Sequence, residues 1–508
     1  MNYKRLFWLE CLCPVAFTLP VSASDAVNMS DAVDSEAINA NGVAKHQPNI
    51  IFILGDDMGY GELSCFNPST PAQTPNIDRI AQAGVKMTQA YANPVSSPTR
   101  SCFLTGQFPQ HVGVYGNFDG ATPGIGPLRH CFAEDMVAEG YQTVWFGKWH
   151  QGWDVSNHPA NNGFERAYGF LGGMHDYYDA SEGDHYIGGP FAKHAWVFDQ
   201  FKPVKEMDYL TEELTDQFLH FLDNRDANKS FFSYMAYNAP HTPLQAPKEY
   251  VMKYINKGFN PVLATRYAMV DVLDVQVGRI LDKLKEMNLE KETLVIFMTD
   301  NGPESEKMSG GLRGIKMTAW EGGIRVPMVA SLPGVIPAGT KNDAICSIVD
   351  MASTFVGLAR STEDYSYGDG HSLIPYFKGK KGNVHDQLVF TIDPTSPMDS
   401  IPQPEECRLF AVRDGDWKLV YDKKRKVNAL YNLKTDLAEQ HDLSAVHPEV
   451  KARLFEYGRD FLQHSKPACG PITNRNTRKG GDLIKINKLL DTYKDYVKDY
   501  KFTWYDEM

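Results

Sequence analysis

A surplus of positive charge is the first thing missing from this chain: 51 lysines and arginines face 63 aspartates and glutamates, for a formal net charge of −12. Phosphate backbones select basic surfaces, which argues against a nucleic-acid partner, and an anionic substrate needs a local positive funnel set against the global charge. Cysteine is scarce as well. Eight occur in 508 residues, none in Cys-x-x-Cys spacing, which argues against a thiolate zinc site. Cys11 and Cys13 lie in the N-terminal segment, and spacing fixes no pairing among Cys65, Cys102, Cys131, Cys346, Cys407 and Cys469. The chain also lacks an internal repeat and, past its N-terminus, any apolar run long enough to span a bilayer, so no transmembrane anchor is expected.

What is present at the start is an export signal over residues 1–23. Lys4 and Arg5 precede a mainly apolar stretch from Leu6 to Leu19, interrupted by Glu10 and Pro14, and Val21-Ser22-Ala23 offers a small-residue cleavage site. The expected location is therefore periplasmic or secreted. Residues 24–46 are polar and read as a flexible leader. The chain as a whole has the 43% hydrophobic and 22% charged make-up of a soluble globular protein, with length for one large domain and a smaller appended one.

Four apolar runs end directly in reactive side chains. Asn49–Leu54 leads into Gly55-Asp56-Asp57, and Thr143–Phe146 into Gly147-Lys148-Trp149-His150. Phe231–Tyr237 leads into Asn238-Ala239-Pro240-His241, and Leu294–Thr299 into Asp300-Asn301-Gly302. Short, β-branched, aromatic-rich runs predict strands buried on both faces of a parallel sheet, with chemistry at their carboxyl ends. Helical patterns at Thr74–Ala83 and Ala264–Met287 lie between them. The catalytic domain is expected over residues 47–384 and a second module over 385–508. In that module Gln387–Ile392 and Arg408–Asp422 read as antiparallel strands joined by a loop at 394–404, and Glu449–His464 and Asp482–Tyr500 as helices.

The stretch Ser96-Ser97-Pro98-Thr99-Arg100-Ser101-Cys102-Phe103-Leu104-Thr105-Gly106 predicts one short helix, with Pro98 in its first turn and Gly106 as its left-handed stop. Ser96 then sits at the positive end of the helix dipole, and Arg100, four residues on, shares its face. That suits an oxygen nucleophile acting on an anionic ester. Asp56, Asp57, Asp300 and Asn301 supply hard oxygen donors, which favour calcium or magnesium over zinc. An aspartate pair after a strand also serves as a turn or helix cap, so its partners decide its meaning.

The eleven-residue stretch resembles the signature of the sulfatases: Cys or Ser, any residue, Pro, Ser or Thr, Arg, four residues, Thr, Gly. The register selects Ser96, not Ser97. The resemblance extends through Asp56-Asp57, Gly147-Lys148-Trp149-His150, Pro240-His241, Asp300-Asn301 and Lys316 to Glu321-Gly322-Gly323-Ile324-Arg325-Val326-Pro327. It is strong over roughly 47–330 and weaker through Trp417–Val420 and Leu430–Leu433. It implies an alkaline-phosphatase-like α/β fold, a large mixed but mainly parallel sheet flanked by helices, with a smaller C-terminal α+β subdomain.

It also implies hydrolysis of sulfate monoesters. Ser96 would be oxidised by a serine-type maturase to Cα-formylglycine, and Asp56, Asp57, Asp300, Asn301 and residue 96 would share one calcium ion. By the same resemblance, a hydroxyl of the hydrated aldehyde attacks sulfur while Asp300 takes its proton, and a sulfated enzyme forms. Lys316 and His241 serve the leaving alcohol, His150 serves the step that expels sulfate, and Arg100 and Lys148 hold the diol. Three carboxylates, a divalent cation and three cationic side chains leave an excess of two positive charges, suited to a sulfate monoester. Family habit points to a sulfated carbohydrate, with His175, Tyr177, Tyr178 and Arg313 as expected sugar contacts. Two alternatives stand beside this reading: a phosphomonoesterase or phosphodiesterase of the same superfamily, or a non-catalytic binder of sulfated glycans in which Ser96 is never converted.

Overall fold

The computed structural model describes residues 47–118, 124–125, 129–153, 155–183, 196–394 and 401–468. The expected signal, leader and helix at 482–500 lie outside them. At the centre runs β1 (Asn49–Gly55), whose side chains alternate between two hydrophobic layers. Ile50, Phe52 and Leu54 face one layer and Ile51 and Ile53 the other, all with no exposed surface. A strand buried on both faces is what the continuous apolar run predicts.

The remaining main strands are β2 (Val85–Tyr91), β3 (Gln142–Lys148), β4 (Arg166–Phe170), β5 (Phe231–Ala236), β6 (Thr293–Thr299) and β7 (Arg325–Ser331). Their order across the sheet is β2-β7-β6-β1-β5-β3-β4, with short strands at both edges. β6, β1, β5, β3 and β4 run parallel, while β7 is antiparallel to both β6 and β2, giving a mixed, mainly parallel sheet. Parallel neighbours point the carboxyl ends of β1, β3, β5 and β6 the same way, which is how residues distant in sequence reach one place.

Helices cover both faces. One layer holds α2 (Ser96–Thr105), α3 (Phe132–Ala138) and α7 (Asp350–Ala359). The other holds α1 (Pro75–Ala83), α4 (Leu210–Asn224), α5 (Lys248–Ile255) and the 26-residue α6 (Pro261–Glu286). Asn260 caps α6 by accepting from Leu263 N at 2.9 Å, and Pro261 occupies its first position. Among the described residues no helix is long and apolar enough to cross a membrane, and the five described cysteines are all free.

The C-terminal module is a four-stranded antiparallel sheet of β8 (Gln387–Pro394), β9 (Cys407–Asp414), β10 (Trp417–Asp422) and β11 (Val427–Asn432). The sequence reading of one strand over Arg408–Asp422 is corrected here: Gly415, at φ 54°, turns the chain into a hairpin between β9 and β10. One face of this sheet packs Phe390, Leu409 and Val420 against Tyr91, Val95 and Trp320 of the larger part. The other is covered by α8 (Pro448–Gln463) through Leu454 and Leu462.

A buried charge cluster lies between the two sheets. Lys418 Nζ from β10 is 2.8 Å from both Glu321 and Glu439, and all three side chains are buried. Burial, with Glu321 adding to it and Lys418 opposing, pushes the Glu439 carboxyl up to about 7 from an ordinary 4.5. An unfolded chain therefore releases this proton first, and folding stability declines as pH rises from about 4.5 to about 7. In the Glu439→Gln variant that decline is expected to disappear. Urea unfolding at pH 5 and pH 8 should show the variant gaining on the parent by on the order of 1–3 kcal/mol between the two. A constant difference would show that Glu439 is already ionised at pH 5.

Candidate active site

Past β1 the chain turns through Asp56 and Asp57, the latter left-handed at φ 63°. Past β6 it reaches Asp300 and Asn301. The two loops are laced together: Asp300 N donates to Gly55 O at 3.0 Å and Asp57 N to Asp300 Oδ1 at 3.2 Å. Gly302 follows because a Cβ there would lie 1.8 Å from the Gly322 carbonyl oxygen. That close approach lets Gly302 N donate to Gly323 O at 3.0 Å and seats the Glu-Gly-Gly segment beside Asp300.

Helix α2 brings Ser96. Val95 is extended, Gly106 closes the helix at φ 62°, and all ten helical residues are buried. Its mouth is tied to two strand ends, since Thr99 Oγ1 donates to Asp300 O at 2.7 Å and Ser97 Oγ to His150 O at 2.9 Å. Ser96 Oγ donates to Asp300 Oδ2 at 2.5 Å and accepts from Arg100 Nε at 3.0 Å. Arg100 spends its other donors on Asp300 Oδ2 and the Lys148 carbonyl, both at 3.0 Å, and on the Tyr234 hydroxyl at 3.3 Å.

Each of three carboxylates has one cationic side chain as its nearest partner, and Arg100 also comes within 3.7 Å of Asp56. Lys148 Nζ is 2.5 Å from Asp56, Lys316 Nζ 2.8 Å from Asp57, and Arg100 Nη2 3.0 Å from Asp300. In this water-poor setting each pair matters far more than on the surface. Burial alone would raise the Asp57 carboxyl, but Lys316, His241 and Lys148 outweigh it and hold it well below the usual range. Asp300 moves the other way, raised by burial and by Asp56 against the pull of Arg100 and Lys148. Burial and neighbouring cations keep His150 and His241 neutral. His241 Nδ1 donates to Thr242 O at 2.6 Å, so its other nitrogen, Nε2, faces Asp57 Oδ2 at 3.6 Å.

Two buried oxygens, Asp56 Oδ1 and Asn301 Oδ1, have no hydrogen-bond partner among the described residues. Leaving such an atom unpaired costs about 1–3 kcal/mol, so the cradle suits a cation. Asp56, Asp57 and His241 each offer an atom within 4.8 Å of the others. Asn301 Nδ2, donating to Asp57 Oδ1 at 2.7 Å, turns its amide about that cluster. The donors are mainly hard oxygens, which suit calcium or magnesium.

The structure thus gathers Asp56, Asp57, Ser96, Arg100, Lys148, Asp300, Asn301, Lys316 and His241 into one hydrogen-bonded or ion-paired group. His150 adjoins it through Ser97, with Nδ1 unpartnered among the described residues. The expected sugar contacts are placed differently. Tyr178 is 47% exposed, whereas His175 and Tyr177 are buried. Tyr177 is corrected from an expected sugar contact to a tie beneath the site: its hydroxyl lies 2.8 Å from the carbonyls of both Asn238 and His241. Arg313 is stacked 3.7 Å above the Trp320 ring and donates to the Glu439 carbonyl, so its guanidinium is committed to the module boundary. Thr99 and Tyr234 are site neighbours that the sequence reading passed over. Thr99 sits at the Ser/Thr position of the signature, which is the signal that marks it.

A mixed, mainly parallel sheet with a buried hydroxyl at a helix mouth and acidic strand ends defines the alkaline-phosphatase-like class of hydrolases. Within that class the chain belongs to the sulfatase family, whose sequence profile matches residues 48–361. A second profile, the C-terminal region of N-sulphoglucosamine sulphohydrolase, matches residues 315–456. Arylsulfatase A of Homo sapiens is 32% identical over 409 residues, covering 75% of this chain and 76% of that protein. N-acetylgalactosamine-6-sulfatase of Mus musculus is 32% identical, with 68% and 69% covered. The crystal structure of Ps i-CgsB in complex with k-i-k-neocarrahexaose matches with a TM-score of 0.74 at 27% identity, over 89% of this chain and 99% of that one. The protein is accordingly a sulfuric ester hydrolase. Its family uses formylglycine and a divalent metal, and the acidic cluster is a place for the latter.

Proposed function

We propose that this enzyme removes sulfate from the hydroxyl groups of sulfated carbohydrates, using formylglycine made from Ser96 and one calcium ion. The observation that carries this reading is the position of Ser96 Oγ, between Arg100 Nε and Asp300 Oδ2 and laced to a carboxylate cluster with unpaired oxygens. The carbohydrate part is supported by the hexasaccharide bound to Ps i-CgsB and by the aminosugar sulfatase relative.

Asp56, Asp57, Asp300 and Asn301 would hold calcium, with residue 96 beside it, and calcium when bound supplies Lewis acidity that favours ionised oxygens nearby. Hydrated formylglycine supplies two hydroxyls on one carbon where the serine in this structure has one.

The chain's own residues divide the remaining work. Asp300, with its proton affinity raised, is placed to take a proton from the hydroxyl at position 96. Arg100 fixes that oxygen and adds positive charge. Lys316, held protonated by Asp57 against the effect of burial, faces the leaving oxygen with a full charge. Neutral His241 turns Nε2 toward Asp57 Oδ2 at 3.6 Å, and His150 Nδ1 is available to accept a proton. Residues 1–23 are proposed to direct export to the periplasm or beyond, and a serine-type maturase to act on Ser96.

Mass spectrometry of the Ser96 peptide from protein made in its native host tests the modification. Oxidation removes two hydrogens, about 2 Da. Parallel assays on an aryl sulfate, an aryl phosphate and sulfated oligosaccharides test the chemistry. Faster phosphate turnover would overturn the ester class, and an unmodified, inactive protein would favour a glycan binder.

A further inference from the structure

Two fully enclosed charged side chains lie beneath the cluster and take no part in the chemistry above. Arg266 projects from the first turns of α6, and Glu62 ends a 3-10 turn at Tyr60–Glu62; they are 2% and 1% exposed. Arg266 Nε and Nη2 meet the two Glu62 carboxylate oxygens at 3.3 and 3.0 Å, a two-pronged pairing. The remaining donors reach upward. Nη2 donates to the Asp57 carbonyl at 2.6 Å and Nη1 to the Pro240 carbonyl at 3.0 Å. Those carbonyls belong to Asp57 itself and to the residue before His241.

We infer that the Glu62–Arg266 pair is a positioning element that sets the Asp57 carboxylate against the His241 imidazole and thereby tunes the site's affinity for its cation. The inference rests on the calcium reading proposed above.

Three physical arguments support it. Asp57 adopts φ 63°, a left-handed conformation that strains a non-glycine residue, so something must hold it there. A guanidinium on its carbonyl does so directly. A planar fork can also grip two carbonyls from two separate loops at a fixed separation, which a lysine cannot. Asp56 N donating to Ala239 O at 3.2 Å ties the same two loops at one backbone point, and Arg266 adds another. Finally, Glu62 cancels the arginine's charge. An uncompensated cation beneath Asp57 would repel a bound metal, so geometry is supplied without an electrostatic penalty. Gly59 N, donating to Glu62 Oε2 at 2.7 Å, fixes the carboxylate in turn.

The test is calorimetric titration of calcium into chelator-stripped full-length protein, for the parent, R266M, R266K, E62Q and the double variant E62Q/R266M. The double variant buries no unpaired charge, so it guards against simple misfolding. Its calcium-free melting temperature should stay within a few degrees of the parent. R266M and the double variant are expected to bind calcium about 10–100-fold more weakly, the range for removing a residue that orients a metal ligand. R266K should recover part of the loss, and E62Q should weaken binding through the uncompensated positive charge. Parent-like affinity in the double variant would overturn the inference, reducing the pair to charge balance or scaffolding. Absence of calcium binding by the parent itself would instead overturn the metal reading, and this inference with it.

Discussion

Replacing Ser96 with alanine is expected to lower kcat/KM on an aryl sulfate by on the order of 10⁴-fold or more, while leaving the melting temperature nearly unchanged. The loss follows from removing the one oxygen that touches both Arg100 and Asp300. Stability survives because those partners keep each other: Arg100 Nη2 remains 3.0 Å from Asp300, which also accepts from Asp57 N. The same change at Ser97 is a useful contrast. Its hydroxyl donates to His150 O and accepts from Phe118 N, so Ser97→Ala should act through local order and cost far less rate. Steady-state kinetics with thermal unfolding on each variant checks both. A Ser96→Ala enzyme within tenfold of the parent would remove residue 96 from the chemistry. If the encoded serine is only a precursor, protein made in a host without a serine-type maturase should match the alanine variant in rate. Ser96→Cys should recover activity where a cysteine-type maturase is present.

Stripping divalent cations is expected to have the next largest effect, a fall in kcat of about 10²–10³-fold, reversed by calcium and not by zinc. Without an added cation, Lys148 and Lys316 neutralise Asp56 and Asp57 through contacts of 2.5 and 2.8 Å. The three ion pairs then leave the centre near neutrality. Two further charges convert it into an anion receptor. Binding to the folded state alone also stabilises it, by about 4 kcal/mol at a thousand-fold excess over Kd. Calcium should therefore raise the melting temperature of the chelated protein, and Asp57→Asn should abolish that rise. A chelated enzyme that keeps its full rate would sink the idea.

The strand ends were legible because each is a local pattern: an apolar run, then a polar switch. The helix at Ser96 was legible for the same reason, with Pro98 and Gly106 marking its ends. What stayed hidden is held by long-range bonds to backbone. Tyr177 was expected to contact sugar, yet its hydroxyl is used up on carbonyls more than sixty positions away. Arg266 sits in an amphipathic helix where a charge usually faces water, and nothing in its neighbourhood announces two loop carbonyls. Arg313 precedes the Lys316 segment and so resembled a substrate contact, until Trp320 and Glu439 were found to hold it. The turn at Gly415 was missed because the apolar pattern resumes immediately after it.

The complete burial of α2 bears on when the enzyme can be made active. Ser96 has no exposed surface, and Phe103 and Gly106 of the same helix lie against Phe355 and Ala352 of α7. If Ser96 is converted as proposed, the maturing enzyme has to reach its side chain before that docking, while α7 is still unmade or unplaced. Roughly 250 residues separate the two helices, on the order of 10–50 s of synthesis at typical rates. Activation on that reading is a race between two clocks, and a chain that folded too early would be locked out of its own chemistry.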